Sequence, residues 1–473
     1  MIDDAHSFIK RLLEFSTGTI LSFFISIIIV PLTSWFIMPE EFGRVSMYTL
    51  FYNLTLLTLL LGLDQSFLRE YYSSKDISAL LWNSFSLPFF ISLLISLTIY
   101  LSGKYLTNIL FGEFSLIVSV LIAAVVPLGI FERFNTLIIR SQERAKLYSL
   151  STVLRQVFRL SFILFFVLVY EKTYKSIILA EVASVMMNNV FLFFYTRTIW
   201  VNRAQLKSNM LKRLFSFGLP LLPASLLSWL FNSFDKIAMR KWSDYSQIGL
   251  YSAGFKILGV LNIVKSAFSI FWVPTAYRWY ESDQDLKKYE KVIRLLSSAI
   301  FVGSALLIVF RKLIILLFAP AYKEAYRLIP FLVFIPSMHV ISETTVVGIN
   351  FKKKTYYHLL IIAFTSLLNI VGNIILVPRY GALGASVSTG FSYIVFFWMR
   401  TLISRKLWYN FDIIWLVMNN VLLVAYSCCT LLFSFTAIEI FFALLIIILN
   451  IKSMKDIFTF FKNFMKAKIQ RSS

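Results

Sequence analysis

Long apolar runs broken by short polar punctuation make up nearly the whole of this chain. From residue 16 onward, stretches of roughly 18 to 25 mostly hydrophobic residues recur, and each is long enough as a helix to cross about 30 Å of hydrocarbon. Barrel strands would instead read as about ten residues of alternating pattern. The runs place spans at 16–37, 44–63, 80–101, 114–139, 148–170, 175–196, 212–234, 247–273, 292–310, 326–348, 357–377, 383–404, 411–432 and 434–451, fourteen in all. The first has no short apolar core with a small-residue cleavage site behind it, so it reads as a retained helix rather than a signal. The pattern predicts an all-α polytopic membrane protein.

Composition agrees with the pattern. Of 473 residues, 58% are hydrophobic and 15% charged, too few charges to cover the surface of a water-soluble domain. No connection exceeds about twenty residues, which leaves no room for a soluble catalytic domain on either side. The net charge of +22 does not indicate nucleic acid, because the basic residues punctuate helix ends. Lys and Arg number 30 on the side that holds both termini and 12 on the other, so the positive-inside bias places both termini in the cytoplasm. Anionic lipid is the natural partner of such charges. Cys428 and Cys429, adjacent within one span, cannot form a scaffold of bridges. No pattern of metal ligands or cofactor motif stands out, so neither is expected.

The pattern also repeats. Gly43 and Ser46 in "FGRVS" correspond to Gly249 and Ser252 in "IGLYS", 206 positions on; Pro127 corresponds to Pro336 at 209; and "RSQERAKLY" (140–148) to "NFKKKTYYH" (350–358) at 210. Three landmarks in one order at nearly one offset predict two bundles of six helices. Six is even, so both halves enter the membrane in the same direction. The expected division is an N-terminal bundle at 1–200, a cytoplasmic linker at 201–213, a second bundle at 214–406, a terminal helix pair at 407–451 and a basic tail at 452–473. The glycines permit close backbone contact, and the prolines, lacking an N–H, make bending points. The alternative is that these residues serve packing alone.

The stretch "FSFGLPLLPASLLSWLFNSFDKIAMRKWSDYSQIGLYSAGFKI" (215–257), with "MPEEFGRVS", "GLDQSFLREYY" and "RSQERAKLYS" before it, resembles the Wzx-type polysaccharide flippases of the multidrug/oligosaccharidyl-lipid/polysaccharide exporter superfamily. The resemblance covers most of the chain. It implies a protein of the bacterial inner membrane that moves an undecaprenyl-diphosphate-linked oligosaccharide, such as an O-antigen or capsule unit, to the outer leaflet without covalent chemistry. It further implies a coupling cation, proton or sodium, and contact with other polysaccharide assembly proteins. Lipid II flipping and drug/cation antiport are the alternatives within the superfamily. A membrane glycosyltransferase or polymerase is the alternative outside it, for which Glu40 and Glu41 would be the acidic pair.

Charge inside a bilayer is costly and marks partners or substrate. Arg155 and Arg159 lie one turn apart on one helix face, and Glu132 sits at a depth similar to that of Arg155. A structural pair of Glu132 with Arg155 leaves Arg159 free to grip a diphosphate with its planar fork. The bland alternative is a buried pair for Arg159 too. Arg155 and Lys256 are the further candidates for diphosphate. Lys256 and Lys265 fall on roughly opposite faces and can snorkel to headgroups. Glu181, Asn188 and Asn189 suit sugar hydroxyls or helix–helix hydrogen bonds equally. Asp235 suits a cap or a pair with Lys236 or Arg240. His339 and Glu343, four apart beside Pro336, could exchange a proton, as could Glu132, or could form a fixed hydrogen bond.

Overall fold

Hydrocarbon offers backbone groups no hydrogen-bond partners, so a run that stays within it folds as helix. A computed structural model describes residues 2–202, 206–282, 286–432 and 436–472, and every regular element among them is helical. The helices are α1 (Ile2–Ser34), α2 (Pro39–Leu60), α3 (Leu63–Glu70), α4 (Ile77–Leu101), α5 (Gly103–Phe111), α6 (Leu116–Ser141), α7 (Ala145–Val169), α8 (Tyr174–Val201), α9 (Ser208–Gly218), α10 (Leu222–Trp242), α11 (Tyr245–Ile257), α12 (Gly259–Ser282), α13 (Leu286–Ile314), α14 (Ile329–Leu332), α15 (Phe334–Thr345), α16 (Val347–Phe351), α17 (Tyr356–Leu407), α18 (Ile414–Leu432) and α19 (Thr436–Ser472). Two compact units divide them: Met1–Lys236 with Asp244–Gly249, and Ile237–Ser243 with Leu250–Ser473.

In the first unit α7 packs along both α1 and α8, while α6 lies against α4 and α8. In the second, α13 packs on α15 and α19, and α15 on α12 and α17. Burial is arranged for lipid rather than water. Helix α4 hides Asn83, Ser84 and Ser92 and turns Phe90, Leu93, Leu94 and Leu97 outward. Hydroxyls inside the helices are satisfied by their own backbone: Ser22, Ser46, Thr49 and Thr55 each donate to the carbonyl four residues earlier at 2.7 to 3.0 Å.

Among the described residues, nine helices are long and apolar enough to cross a membrane, or up to eleven if two sharply bent pairs each count as one span. The fourteen expected spans differ from this at identifiable breaks. Leu61 and Gly62, both left-handed at φ 51° and 71°, bend α2 from α3 by 55°. The 247–273 region is split at Leu258 into α11 and α12. Gly381, at φ 52° and ψ −128°, interrupts α17 after Pro378, so its 52 residues are two helical stretches. The 434–451 span begins at residues outside those described, and of the expected 201–213 linker residues 203–205 lie outside them too, while Val201 ends α8 and residues 208–213 are already helix α9. Residues 452–472 continue α19.

The two prolines of the repeat behave differently. Pro127 lies within one continuous helix, α6, whereas α14 and α15 part at Val333, three residues before Pro336. A second landmark repeats closely. Glu143 and Lys353, 210 positions apart, are both left-handed at φ 54° and 55°. Each follows a helix end closed by the same pair of bonds: Glu143 N–H to Arg140 at 3.0 Å and Arg144 N–H to Ile139 at 3.3 Å, against Lys353 to Asn350 at 2.9 Å and Lys354 to Ile349 at 3.1 Å. This is a Schellman motif written twice, with a non-glycine residue at the left-handed position each time.

The glycine-led helix starts pack against each other. A Cβ at Gly43 would lie 1.9 Å from the Tyr245 carbonyl oxygen, and one at Gly249 would lie 1.8 Å from that of Pro39. Only glycine lets the first turns of α2 and α11 approach so closely. Beside this contact Arg44 lies between the rings of Tyr174 and Tyr245, 5.6 and 5.1 Å from their centroids, and donates Nε to the Phe111 carbonyl at 3.0 Å. It also pairs with both Glu40 and Glu41, so these carboxylates are engaged by an arginine.

Candidate functional site

Helices α6, α7 and α8 bring five of the polar residues singled out above into one cluster. Arg155 is its post. Its Nε donates to Glu132 Oε1 at 3.0 Å, its Nη2 to Glu181 Oε1 at 2.7 Å, and its Nη1 to Ser184 Oγ. Glu132 Oε1 also accepts from Asn188 Nδ2 at 2.7 Å. Arg159, one turn further along α7, brings Nε to 2.9 Å from Glu181 Oε2. That N–H makes no hydrogen bond, so the contact is an ion pair without alignment. The two arginines therefore differ in commitment. Arg155 is saturated by three side chains, whereas Arg159 has one misaligned partner and two Nη groups with no protein partner among the described residues.

Arg159 is also the more open of the two, with 28% of its side chain exposed against 17% for Arg155 and 15% for Glu181. It is the fifteenth residue of α7, about 21 Å from that helix's first residue and near the middle of a helix long and apolar enough to cross a membrane. Tyr48 and Tyr52 of α2 stack at 5.9 Å and lie within electrostatic reach of Glu181 and Arg155. The buried Tyr48 hydroxyl and the Asn188 Oδ1 have no hydrogen-bond partner among the described residues. Two arginines face two glutamates here, so the formal charges balance inside this cluster.

Asn189 turns away from the arginines, as adjacent residues on a helix must. Its Nδ2 donates to the Leu128 carbonyl at 3.0 Å, and its Oδ1 accepts from Asn135 at 3.4 Å. Asn135 in turn receives Thr196 at 2.7 Å and Trp200 Nε1 at 2.8 Å, a closed network that locks α6 to α8. Asp235 is buried, and its Oδ1 accepts the Lys236 backbone N–H at 2.9 Å. Lys256 is exposed in the last turn of α11. The Lys265 side chain lies outside the described residues.

The second unit holds its own charged cluster, centred on a residue that the sequence reading did not single out. Arg400 of α17 is buried, donates Nη1 to Glu343 Oε1 at 3.1 Å and to Ser342 Oγ, and lies 5.0 Å from the Phe396 ring centroid. His339 Nε2 is 3.7 Å from the same Glu343 oxygen and packs against Phe396 and Tyr393. Trp272 Nε1 donates to the Glu343 carbonyl at 3.1 Å. One carboxylate is thus shared by a permanent cation and a titratable one. A further pair, also missed, is bidentate: Arg311 Nη1 and Nη2 meet Glu439 Oε2 and Oε1 at 2.8 and 2.7 Å, both side chains almost fully buried. Arg311 and Arg400 stand near the ends of apolar runs, where sequence alone counts a charge as a headgroup contact.

A family model described as "Polysaccharide biosynthesis protein" matches residues 10–279. Among solved structures, the chain is similar to a lipid II flippase, MurJ, in an inward closed conformation, with a TM-score of 0.68 and 15% identity over 94% of this chain and 99% of that one. It is also similar to a mutant of the Vibrio cholerae MATE transporter VcmN, with a TM-score of 0.59 and 15% identity over 85% and 97%. A transporter of the MOP superfamily from Pyrococcus furiosus matches at a TM-score of 0.51 and 14% identity over 84% and 95%. Identities this low establish a common fold and nothing finer. No curated protein matches the chain.

Proposed function

Because this chain belongs to the polysaccharide biosynthesis protein family and has the fold of the multidrug/oligosaccharidyl-lipid/polysaccharide exporters, we propose that it flips an undecaprenyl-diphosphate-linked oligosaccharide across the bacterial inner membrane, from the cytoplasmic to the outer leaflet. The observation that carries the reading is Arg159, a partly exposed guanidinium near the middle of a helix long and apolar enough to cross a membrane, whose Nη groups make no hydrogen bond among the described residues. A planar fork of donors, charged at any working pH, suits the oxygens of a diphosphate. Arg155 holds the cluster together from behind, and the Tyr48 hydroxyl supplies a neutral donor nearby. The oligosaccharide travels with the headgroup, and the polyprenyl tail stays in lipid. Alternating access by the two halves of the repeat moves the headgroup without making or breaking a covalent bond.

Loss of the protein tests the reading at the level of the cell. Lipid-linked repeat units are expected to accumulate in the inner leaflet, as measured by lipid extraction with leaflet-selective labelling. Accumulation of unlinked sugars instead would point to an enzyme and defeat the proposal.

Coupling belongs at the second cluster. His339 and Arg400 share Glu343, so a proton on His339 adds a second cation to one carboxylate and shifts its pairing. Tyr393, Phe396, Ser342 and Trp272 also face the pair, and a second histidine, His358, lies within electrostatic reach of both Arg400 and Glu343. In reconstituted vesicles, His339→Gln is expected to flip substrate at a rate that no longer responds to an imposed proton gradient, while headgroup affinity stays as in the wild type. A variant that keeps the full gradient response would remove His339 from coupling.

A further inference from the structure

We propose that Glu181 is a resident counter-anion that the substrate's diphosphate displaces from Arg159, and that this exchange sets how tightly the headgroup is held. The inference rests on the reading of Arg159 given above and extends it to a residue whose role that reading leaves open.

The geometry divides Glu181 into two unequal halves. Oε1 takes an aligned hydrogen bond from Arg155 at 2.7 Å, while Oε2 faces Arg159 at 2.9 Å with the Arg159 N–H pointing elsewhere. The Arg159 side is therefore the weaker contact and sits at the more exposed edge of the cluster. Displacing it does not orphan a buried carboxylate, because Arg155, itself fixed by Glu132 and Ser184, keeps its hold on Glu181. Two needs are met at once. Without substrate, a guanidinium deep in the bilayer has an anion beside it. With substrate, the diphosphate must compete against that anion, so binding is weak enough to reverse, as transport requires. A pair of unopposed arginines would hold a diphosphate too well to release it.

The exchange predicts a division between affinity and turnover. Glu181→Gln keeps the shape of the side chain and removes the competing charge. Glu181→Asp keeps the charge but draws the carboxylate back from both arginines, and the misaligned contact to Arg159 is the weaker of the two. Both are expected to bind farnesyl diphosphate about tenfold more tightly than the wild type, the order set by one competing charge-assisted contact. Both are also expected to flip more slowly at saturation, with KM and kcat falling together. Glu132→Gln is the control: it weakens the hold on Arg155 without touching Arg159, and should lower the thermal midpoint with no gain in affinity.

Binding would be measured on the purified full-length chain in nanodiscs. Inorganic pyrophosphate should displace farnesyl diphosphate, since the exchange involves phosphate oxygens alone, and failure to displace it overturns the proposal. A merely structural Glu181 would lose stability and affinity together. If both Glu181 variants bind no more tightly while Arg159→Ala abolishes binding, the exchange is wrong and the site stands. If Arg159→Ala binds as the wild type does, the site itself is wrong and the exchange goes with it.

Discussion

Arg159→Ala is expected to lower flipping about 10- to 100-fold, the range set by losing a charge-assisted contact to an anion. Arg159→Lys should recover part of this, because it restores the charge without the planar fork. Neither change should empty the membrane of protein, since Arg155 retains Glu132, Glu181 and Ser184. The measurement is vesicle flipping of a fluorescent polyprenyl-diphosphate sugar, normalised to reconstituted protein, alongside surface glycan in complemented cells. Undiminished glycan in both variants would take Arg159 out of the mechanism.

The second large effect concerns stability. Arg311 and Glu439 form a bidentate pair between α13 and α19 with side chains 2% and 6% exposed. Removing one partner strands the other charge, a loss of about 3–5 kcal/mol for buried pairs. Arg311→Met and Glu439→Gln should each lower the thermal midpoint in detergent sharply. The double change Arg311→Met with Glu439→Met should lie closer to the wild type, because it leaves no unpaired charge. Lys312, 3.8 Å from Glu439, is near enough to compensate partly for the loss of Arg311, so that single change should be the milder of the two. Midpoints equal to that of the wild type in all three variants would show that the pair does not tie α19 to its unit. Flipping assays on the double variant then separate anchoring of the last helix from transport.

Much of this architecture can be read from linear pattern. Apolar runs of bilayer length specify helices because hydrocarbon leaves the backbone no other partner. Even the repeat is visible, and the paired left-handed turns at Glu143 and Lys353 give it a backbone counterpart at the same 210-residue offset. Arg155, Arg159 and Glu132 are legible as site candidates because they fall well inside their runs, where no headgroup can account for them. Arg400 and Arg311 are not legible in this way. Each lies within a turn or so of a run's end, and a depth read along the chain does not say whether a side chain faces lipid, water or another helix. Asn188 and Asn189 show the same limit, since neighbours in sequence serve separate networks.

What the sequence by itself determined is therefore the membrane-embedded helical class and the residues whose charge demands an explanation, both of which depend on local composition and period. Tertiary structure alone decided the partners: Gly43 against the start of α11, Arg400 with Glu343 across 57 residues, and Arg311 with Glu439 across 128. Pairing depends on how each helix is rotated about its axis and which helix lies beside it. Those quantities are set by packing among distant segments, so the division of labour between a saturated Arg155 and an available Arg159 appears only when α6, α7 and α8 are assembled.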